Sequence, residues 1–325
     1  MKAAVLHKLG EAPKFEDFPD PIPQGDQDVL VHITAASIKN IDKGLAAGSH
    51  YDHYYTELPC IVGIDGAGIL DDGTHVLAGT RPPYGMMAEK AIAAKAYLMP
   101  IPEGVDDVTA AALPNPAISA WMALTWRGQL KAGQTVFIMG ATGVTGKLAI
   151  QLAKHFGAGR VVAAGRNSDV LQTLPELGAD AVISLAQSDE ALKEAFAAEA
   201  RQHPFDIVLD FLWGHPSEVL LDALTGHSLV AEAHTTRYIE IGEMAGSKIA
   251  LSAATLRSAG IELYGQGGGS VPSEMMARIP EVLGELLGLA AAGKIRIDTE
   301  AIPLRDIEQA WQRDDLHGKR IVIIP

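Results

Sequence analysis

The feature that most constrains the fold is a glycine-rich turn between an apolar strand and a helix. The strand is predicted at 135–139 and the helix at 147–156, and the turn between them reads Gly140-Ala141-Thr142-Gly143-Val144-Thr145-Gly146. The spacing is A-x-G-x-x-G, with Ala141 in the first glycine position. Gly143 would let a pyrophosphate approach the backbone, Gly146 would allow close helix–strand packing, and N–H groups at the helix start would bind the anion. The turn therefore predicts a dinucleotide site, with a plain strand–helix turn as the alternative.

Strands and helices alternate on both sides of this turn. Apolar strand candidates lie at 135–139, 160–164, 181–184, 206–211, 238–241 and 261–264. Helix candidates between them lie at 147–156, 169–177, 190–201 and 218–224. Apolar strands joined by helices are typical of a parallel sheet covered on both faces. The predicted class is thus α/β, a doubly wound Rossmann sheet.

The residue after the second of these strands bears on the choice of cofactor. Arg166 lies between Gly165 and Asn167, 20 residues beyond Gly146. An NAD-specific protein places Asp or Glu about there, to accept a hydrogen bond from the ribose 2′-OH. A guanidinium suits a 2′-phosphate instead, so we predict NADP(H). A solvated loop arginine without a ligand is the alternative.

The length of 325 residues calls for a second domain. The first part of the chain has short β-rich runs separated by proline and glycine, and helical character begins near residue 117. A long helix at 273–292 and strands at 302–304 and 320–324 follow the Rossmann part. We predict a β-rich catalytic domain at 1–116, the cofactor domain at 117–267, and a return to the first domain at 268–325, with a cleft between the lobes.

Charge and hydropathy limit the classes of binding partner and the cellular location that we expect. Lys and Arg number 26 against 40 Asp and Glu, a net charge of −14, which disfavours nucleic acid and anionic membranes. The opening apolar run is too short for a secretory signal, and no 18 uncharged apolar residues run together. Cys60 is the only cysteine, which excludes an intramolecular disulfide. We therefore expect a cytoplasmic protein.

Three candidate catalytic residues follow a predicted strand in the first domain. Lys39, Asn40 and Asp42 lie in a loop from which a cation or an amide could polarise a carbonyl oxygen. The alternatives are a solvated loop and, for Asp42, a helix cap. Hydride transfer needs no nucleophile–base pair in the protein, because the cofactor carries the reacting hydride.

A metal site is not predicted. His50 and His53 are the nearest approach to a ligand pair, and a single cysteine makes a thiolate zinc site implausible. Cys60 lies in an apolar run, which favours a small core residue over a nucleophile.

Four segments together carry a family resemblance, namely 1–5, 58–68, 140–146 and 318–322. Through them the chain resembles a medium-chain dehydrogenase/reductase of the zinc-independent, quinone oxidoreductase-like branch. The resemblance implies a GroES-like catalytic domain that the C-terminus rejoins, a Rossmann domain in the middle, and homodimers joined through the last Rossmann strand.

The resemblance also implies site residues. By position, Gly143, Val144 and Thr145 contact the pyrophosphate and Arg166 contacts the 2′-phosphate. The segment Asp210-Phe211-Leu212 lines the same cleft, and the nicotinamide end contacts Ile241, Gly242, Gly265, Gln266 and Gly267. Members often carry Asn-Pro-x-Asp where this chain reads Lys39-Asn40-Ile41-Asp42. A lysine thus stands in the asparagine position.

The expected function is an NADPH-dependent reductase that passes hydride to a quinone or to the β-carbon of an activated alkene, without zinc. Lys39, Asn40 or a backbone N–H would steady the developing oxyanion. One alternative is a non-catalytic NADP(H)-binding sensor, because a fold alone does not fix a function. Another is a metal-dependent alcohol dehydrogenase that uses His50 and His53.

Overall fold

The computed structural model describes residues 1–226 and 234–325 and divides the chain into two compact units. The first unit comprises Met1–Asn115 and Pro280–Pro325, and the second comprises Pro116–Ile279. The second boundary lies twelve residues beyond the predicted 267/268, which leaves Arg278 in the second unit. There its guanidinium carbon lies 5.5 Å from the ring centroid of Trp121, a contact that ties this stretch to the second unit.

The first unit is rich in strands, as the glycine and proline spacing predicts. All described pairings among its strands before Asn115 are antiparallel. The longest of these strands is β3. Its elements before Asn115 are β1 (Lys2–Leu6), β2 (Lys14–Asp17), β3 (Asp28–Ser37), α1 (Asn40–Ala47), β4 (Cys60–Ile61), β5 (Asp65–Ile69), β6 (His75–Gly79), β7 (Lys90–Ala94), β8 (Met99–Pro100) and α2 (Asp107–Ala112).

Two sheets organise this unit. The smaller sheet has the order β2-β1-β4, and its strands pair antiparallel. In the larger sheet, β3 pairs with both β5 and β7, and β5 continues through β6 to β8. Alternation along β3 buries Val31, Ile33 and Ala35 on one face, which fits a half-buried strand.

The second unit alternates strands and helices. Its elements are α3 (Pro114–Met122, which starts just before the boundary), a π-helical turn (Ala123–Arg127), β9 (Thr135–Met139), α4 (Val144–His155), β10 (Arg160–Gly165), α5 (Ser168–Thr173), β11 (Ala181–Ser184), α6 (Asp189–Gln202), β12 (Ile207–Asp210), α7 (Gly214–Ala223), β13 (Thr235–Glu240), α8 (Ala253–Ser258), β14 (Gly260–Gly265) and α9 (Ser273–Met276).

The sheet of this unit confirms the predicted doubly wound class. All its described pairings are parallel, and the strand order is β11-β10-β9-β12-β13-β14. This is the Rossmann order, with the reversal between β9 and β12. Every residue of β9 and β12 is buried, as expected for strands covered on both faces. Phe137 packs against Phe196 and Phe205, with ring centroids 5.5 and 4.8 Å away.

The last part of the chain rejoins the first unit. Its elements are α10 (Ile279–Ala291), β15 (Thr299–Pro303), α11 (Ile307–Gln312) and β16 (Arg320–Ile324). β16 pairs antiparallel with β3, and β15 pairs parallel with β16. The prediction of one long helix at 273–292 is wrong, because the chain forms α9 and α10 instead. Pro280 has no N–H and is tolerated in the first turn of α10, where no helical hydrogen bond is lost.

Several element boundaries also differ from the prediction, among them the starts of α4, α7, β13 and β15 and the end of α5. α7 begins at Gly214 rather than at 218, because Pro216 occupies its first turn instead of breaking it. β13 begins at Thr235 rather than at 238, since its polar first residues pair with β14 from Gly260 onward. Strand pairing, a tertiary effect, outweighs the local polarity there.

Candidate functional site

The carboxyl edge of the parallel sheet brings the predicted cofactor residues together. In register, Met139, which ends β9, pairs with Asp210, Asp210 pairs with Glu240, and Glu240 pairs with Gly265. Parallel strands end at the same edge, where open α/β sheets bind their ligands. The predicted residues at or after these strand ends are Gly140, Ala141, Thr142, Gly143, Val144, Thr145, Gly146, Gly165, Arg166, Asn167, Phe211, Ile241, Gly242, Gly265, Gln266 and Gly267.

Glycine suits each of three positions after β9 for a different physical reason. Gly140 has φ +86°, a left-handed conformation that a side chain disfavours. A Cβ on Gly146 would lie 2.5 Å from the Cα of Ala141, so only glycine allows this approach of helix to turn. Gly143 is exposed, and a Cβ there would meet only the Gly140 carbonyl oxygen, at 3.4 Å. Its outer side is therefore open to a ligand.

The start of α4 suits an anion. The helix has Gly143 as its N-cap, without a capping side chain, and runs for twelve residues. The N–H groups of Val144, Thr145 and Gly146 open the helix and so lack acceptors within it. These N–H groups and the positive end of the helix dipole favour a phosphate beside Gly143. The residues present fit the pyrophosphate of a dinucleotide.

Three predicted residues at the end of β10 have different surroundings. Arg166 is exposed and forms no ion pair with any residue in the described ranges. Asn167 caps α5, since its Oδ1 accepts a hydrogen bond from the Val170 N–H at 3.0 Å. A Cβ on Gly165 would lie 2.4 Å from the methyl carbon of Thr142. Gly165 thus lets the turn pack on β10, and Arg166 is the cation available to a ligand.

Asp210 organises the turn after β12. Its Oδ1 accepts from the N–H groups of Leu212 and Trp213, both at 2.9 Å. Its Oδ2 accepts from the Tyr238 hydroxyl at 2.6 Å and from the Ser217 hydroxyl. The side chain is fully buried. Trp213 has φ +52°, an unfavourable conformation for a side chain, and the two bonds to Oδ1 hold it there.

A pocket of about 320 Å³ lies beside this turn. Burial raises the pKa of Glu240, and the negative charges of Asp210 and Glu243 raise it further. Of the lining residues, the sequence analysis predicted only Gly265. Glu240 could have been predicted as well, because it is a carboxylate at the end of an apolar strand. The lining residues are Trp213, Glu240, Glu243, Ser247, Leu263, Tyr264 and Gly265.

Gln266 follows β14 and is buried. Its backbone N–H donates to the Glu240 carbonyl at 2.8 Å, and its Nε2 donates to the Ser119 carbonyl at 2.8 Å. Its Oε1 accepts nothing from any described residue. A buried acceptor without a donor at this edge is a second feature that fits a bound cofactor.

The predicted catalytic residues lie in the first unit, at the start of α1. Lys39 is the N-cap and Asn40 the first helical residue. The Lys39 side chain is buried, and its Nζ lies 2.7 Å from an Asp65 oxygen and 3.2 Å from both an Asp42 oxygen and the Ser37 carbonyl. Lys39 thus has three acceptors for its three ammonium protons. Asp65 was missed by the sequence analysis, because its contact with Lys39 spans 26 residues.

Electrostatics fix the charge state of this cluster. Burial lowers the pKa of Lys39, but the carboxylates of Asp42 and Asp65 outweigh it, so the net shift is upward and the amine is an ammonium. Burial raises the pKa of Asp42, and Lys39 opposes that shift. Asp42 also caps α1, since it accepts from the Lys39 N–H at 2.9 Å. Asn40 is exposed and the Asp65 side chain is 32% exposed, so both reach solvent.

Two further predictions from the sequence concern the first unit. Cys60 is fully buried in β4, and burial raises the pKa of its thiol to about 11. Both observations favour the role of a core residue over that of a nucleophile. The Nδ1 of His50 accepts from the Asp52 N–H at 3.0 Å. Residues 1–226 and 234–325 contain no group of three or more His, Cys, Asp or Glu that could hold a metal ion.

No helix within the described ranges combines the length and the apolar character that crossing a bilayer requires.

The fold and the carboxyl-edge site define a Rossmann-type nucleotide-binding protein, whose second unit carries the site and whose first unit is rich in β-strands. A family model described as zinc-binding dehydrogenase matches residues 144–230. The chain is 26% identical to the probable NADPH-dependent quinone reductase tdiC of Emericella nidulans, across 96% of each chain. It is 32% identical to the quinone oxidoreductase of Sus scrofa, across 48% of this chain and 50% of that one.

A solved structure extends the likeness to the whole chain. The quinone oxidoreductase of Thermus thermophilus, described with its NADPH complex, superposes with a TM-score of 0.81 at 27% identity and 100% coverage of both chains. These similarities support the quinone oxidoreductase-like branch of the medium-chain dehydrogenases/reductases.

Proposed function

We propose that this protein is an NADPH-dependent oxidoreductase that passes hydride to a quinone or an α,β-unsaturated carbonyl compound, without zinc. The observation that carries the proposal is the open turn at Gly143 together with Arg166 at the end of the neighbouring strand β10, where Arg166 has no ion-pair partner among residues 1–226 and 234–325. The names of the Emericella and Sus relatives and the NADPH complex of the Thermus protein agree with it.

Cofactor binding is assigned to residues along the carboxyl edge of the second unit. The N–H groups of Val144 and Thr145 would hold the pyrophosphate, and the Arg166 guanidinium would pair with the 2′-phosphate. The segments Ile241-Gly242 and Gly265-Gln266-Gly267 would orient the ring end. When bound, NADPH supplies the hydride that the substrate accepts.

The first unit is assigned to the substrate. Asn40, exposed at the first turn of α1, or a backbone N–H near it would steady the oxyanion that forms on the substrate. Lys39 and Asp42 would position that turn, because the Lys39 ammonium already has three acceptors and Asp42 caps the helix. A direct role of Lys39 toward the oxyanion stays a prediction.

A homodimer in the cytoplasm completes the proposal. β14 is the last strand in the order of the described sheet, so one row of its N–H and C=O groups is unpaired. Leu263 on β14 and Leu256 on α8 are 40% and 48% exposed. A second copy that pairs with β14 would cover both. Light scattering coupled to size-exclusion chromatography would report twice the chain mass of 34.3 kDa.

The experiment that tests the proposed function compares NADPH and NADH oxidation with a panel of quinones and enones, with and without a chelator. Wild-type protein should prefer NADPH and ignore the chelator. Arg166→Ala should weaken NADPH affinity about tenfold or more, the value of a hydrogen bond to a charged group, and leave NADH unaffected.

Arg160→Ala is the matched control, because Arg160 lies at the other end of β10 and pairs with Glu199. It should not change the preference between the cofactors. Equal use of NADH and NADPH would contradict the Arg166 assignment. NADPH binding without turnover of any acceptor would favour the sensor, and inactivation by the chelator would favour metal-dependent chemistry.

A further inference from the structure

A second buried cation lies on the same sheet face as Lys39. Arg320, at the start of β16, is 9% exposed, and its Nη1 donates to the Ile38 carbonyl at 2.9 Å. In the pairing of β16 with β3, Ser37 lies opposite Val322, and two further residues in this register place Arg320 opposite Lys39. Opposed residues of a sheet present their side chains on one face. The strand that rejoins the first unit therefore adds a guanidinium to the ion pairs at the start of α1.

The fold alone does not call for an arginine at this position. The next residues of β16, 321–323, are apolar and buried, and a charge among such residues costs free energy unless it is paired. Burial lowers the pKa of Arg320, and the charges of Asp42 and Asp65 oppose that shift. Its Nε has no acceptor within the described part of the chain. Because apolar residues in place of a buried ion pair often leave stability unchanged or raise it, the arginine points to a role beyond stability.

The charge of Arg320 balances the charges around it. The group, which we call the Asp42 cluster, holds two cations and two carboxylates, namely Lys39, Arg320, Asp42 and Asp65. Without Arg320 one carboxylate would be in excess. The Asp65 side chain is 32% exposed and Asn40 is exposed, so the excess charge would lie close to the surface that the proposed function assigns to the substrate. A negative charge there would oppose the formation of an oxyanion on the substrate.

We propose that Arg320 is a positioning residue of the reductase. It neutralises the second carboxylate of the Asp42 cluster and holds the backbone at Ile38, so that an oxyanion can form beside Asn40. The role thus belongs to a residue 282 positions from Ile38, in the part of the chain that rejoins the first unit. This inference rests on the proposed function, because it requires a substrate oxyanion at the first turn of α1.

The test measures the rate of hydride transfer in a single turnover, followed by the loss of NADPH absorbance. The acceptor is the quinone or enone that wild-type protein reduces fastest, at saturating concentration and at pH 8, which opposes protonation of an excess carboxylate. Arg320→Met should slow the transfer about tenfold, the order of magnitude for one uncompensated charge near a reacting group. The KM for NADPH should not change, because the cofactor residues lie in the second unit. Arg320→Lys, which keeps the charge, should stay within about threefold of the wild-type rate.

The double variant Arg320→Met/Asp65→Asn separates the effect of charge from that of the fold. Its cluster again balances, with one cation and one carboxylate, and the new amide oxygen can still accept from Lys39. Its hydride transfer should therefore return to within about threefold of the wild-type rate. If Arg320 only stabilised the fold, the double variant would be at least as slow as Arg320→Met.

Arg313→Met is the matched control. Arg313 lies in the same unit and pairs with Glu300 and Asp315, outside the Asp42 cluster. Its replacement should leave the rate of hydride transfer unchanged. Thermal unfolding of each variant would verify that it is folded.

The possible outcomes separate this inference from the proposed function. A wild-type rate in Arg320→Met would overturn the role of Arg320, and so would a folded double variant that is as slow as Arg320→Met. If Arg320→Met does not fold, the double variant decides alone, and slow transfer by it would overturn the role. In each of these cases turnover by wild-type protein leaves the proposed function standing. Absence of NADPH oxidation by wild-type protein with every acceptor would overturn both.

Discussion

Each of the two units buries a carboxylate beside its candidate site, but the partners of the two carboxylates differ. Asp210 in the second unit accepts four hydrogen bonds, all from neutral donors, two N–H groups and two hydroxyls. Asp42 in the first unit accepts from two backbone N–H groups and from the Lys39 ammonium. Neutral donors complete the first arrangement, whereas the second depends on a buried cation.

The difference shows what each carboxylate contributes. The four donors to Asp210 hold the backbone of the strained turn at Trp213, so this carboxylate shapes the carboxyl edge without a counter-ion. The Asp42 cluster contains Lys39, Asp65 and the buried Arg320, whose pKa burial lowers. Its net charge is balanced, yet the Ser37 hydroxyl and the Arg320 Nε have no partner in the described structure. Buried ion pairs of this kind position groups more than they stabilise a fold.

The largest effect is expected from Lys39→Met, which removes the buried ammonium from the Asp42 cluster. Removing the ammonium leaves the buried Asp42 carboxyl without its cation, and loss of one partner of a buried pair destabilises a protein by about 3–5 kcal/mol. Equilibrium unfolding in urea would measure the loss. Lys43 on the same helix is half-buried, and its Nζ donates to the Arg313 carbonyl at 3.3 Å without a carboxylate partner. Lys43→Met should therefore cost only about 1 kcal/mol.

The double variant Lys39→Met/Asp42→Asn sharpens the test of the ion pair. Removing both charges should recover part of the stability, because the uncompensated carboxylate is then gone. A double variant as unstable as the sum of its two single variants would show that the two side chains are not coupled.

Asp210→Asn is expected to have a smaller effect, of about 1–3 kcal/mol. The amide keeps the shape and one acceptor oxygen, and the hydroxyls of Ser217 and Tyr238 can reorient to accept from the new NH₂ group. The loss is the strength that a charged acceptor adds to its hydrogen bonds. Urea unfolding of this variant beside Lys39→Met would measure the difference. A loss larger than that of Lys39→Met would reverse the contrast between the two carboxylates.

The sequence predicted the parts of the molecule whose signals are local. The A-x-G-x-x-G turn, the buried strands around it and the position of Arg166 depend on residues near one another in the chain, and the structure has the strand, turn and helix at that place. β9, β11 and β16 begin and end where their apolar runs do. Hydrophobic periodicity and glycine spacing are sufficient for such elements.

The contacts that determine chemistry are not local. Asp65 meets Lys39 across 26 residues, and Ser119 meets Gln266 across 147. Because neither contact leaves a periodic signal, the sequence suggested an available Lys39 and gave no sign of the unpaired Oε1. The helix predicted at 273–292 failed for a related reason, since its apolar pattern continues across the break before Pro280.

The smallest predicted effect tests whether Asp210 is charged. Burial raises the pKa of Glu240, with Asp210 as the next cause, so the native state binds the Glu240 proton more tightly than the unfolded chain does. This contribution to stability is fully present below the unfolded pKa and is lost as the pH rises through the raised native value. Glu240→Gln should therefore raise the free energy of unfolding at pH 8 by up to about 0.5 kcal/mol. This gain should shrink as the pH falls from the native pKa of Glu240 toward its unfolded pKa.

The Asp210→Asn background completes this test, with unfolding measured from pH 4 to 8. If Asp210 is an anion held by neutral donors, its replacement lowers the native pKa of Glu240, and the gain from Glu240→Gln becomes smaller at pH 8. The same gain in both backgrounds would mean that Asp210 carries no charge that Glu240 senses. The contrast with the ionic cluster around Lys39 would then lose its basis, because a protonated Asp210 would be one more neutral group in its network.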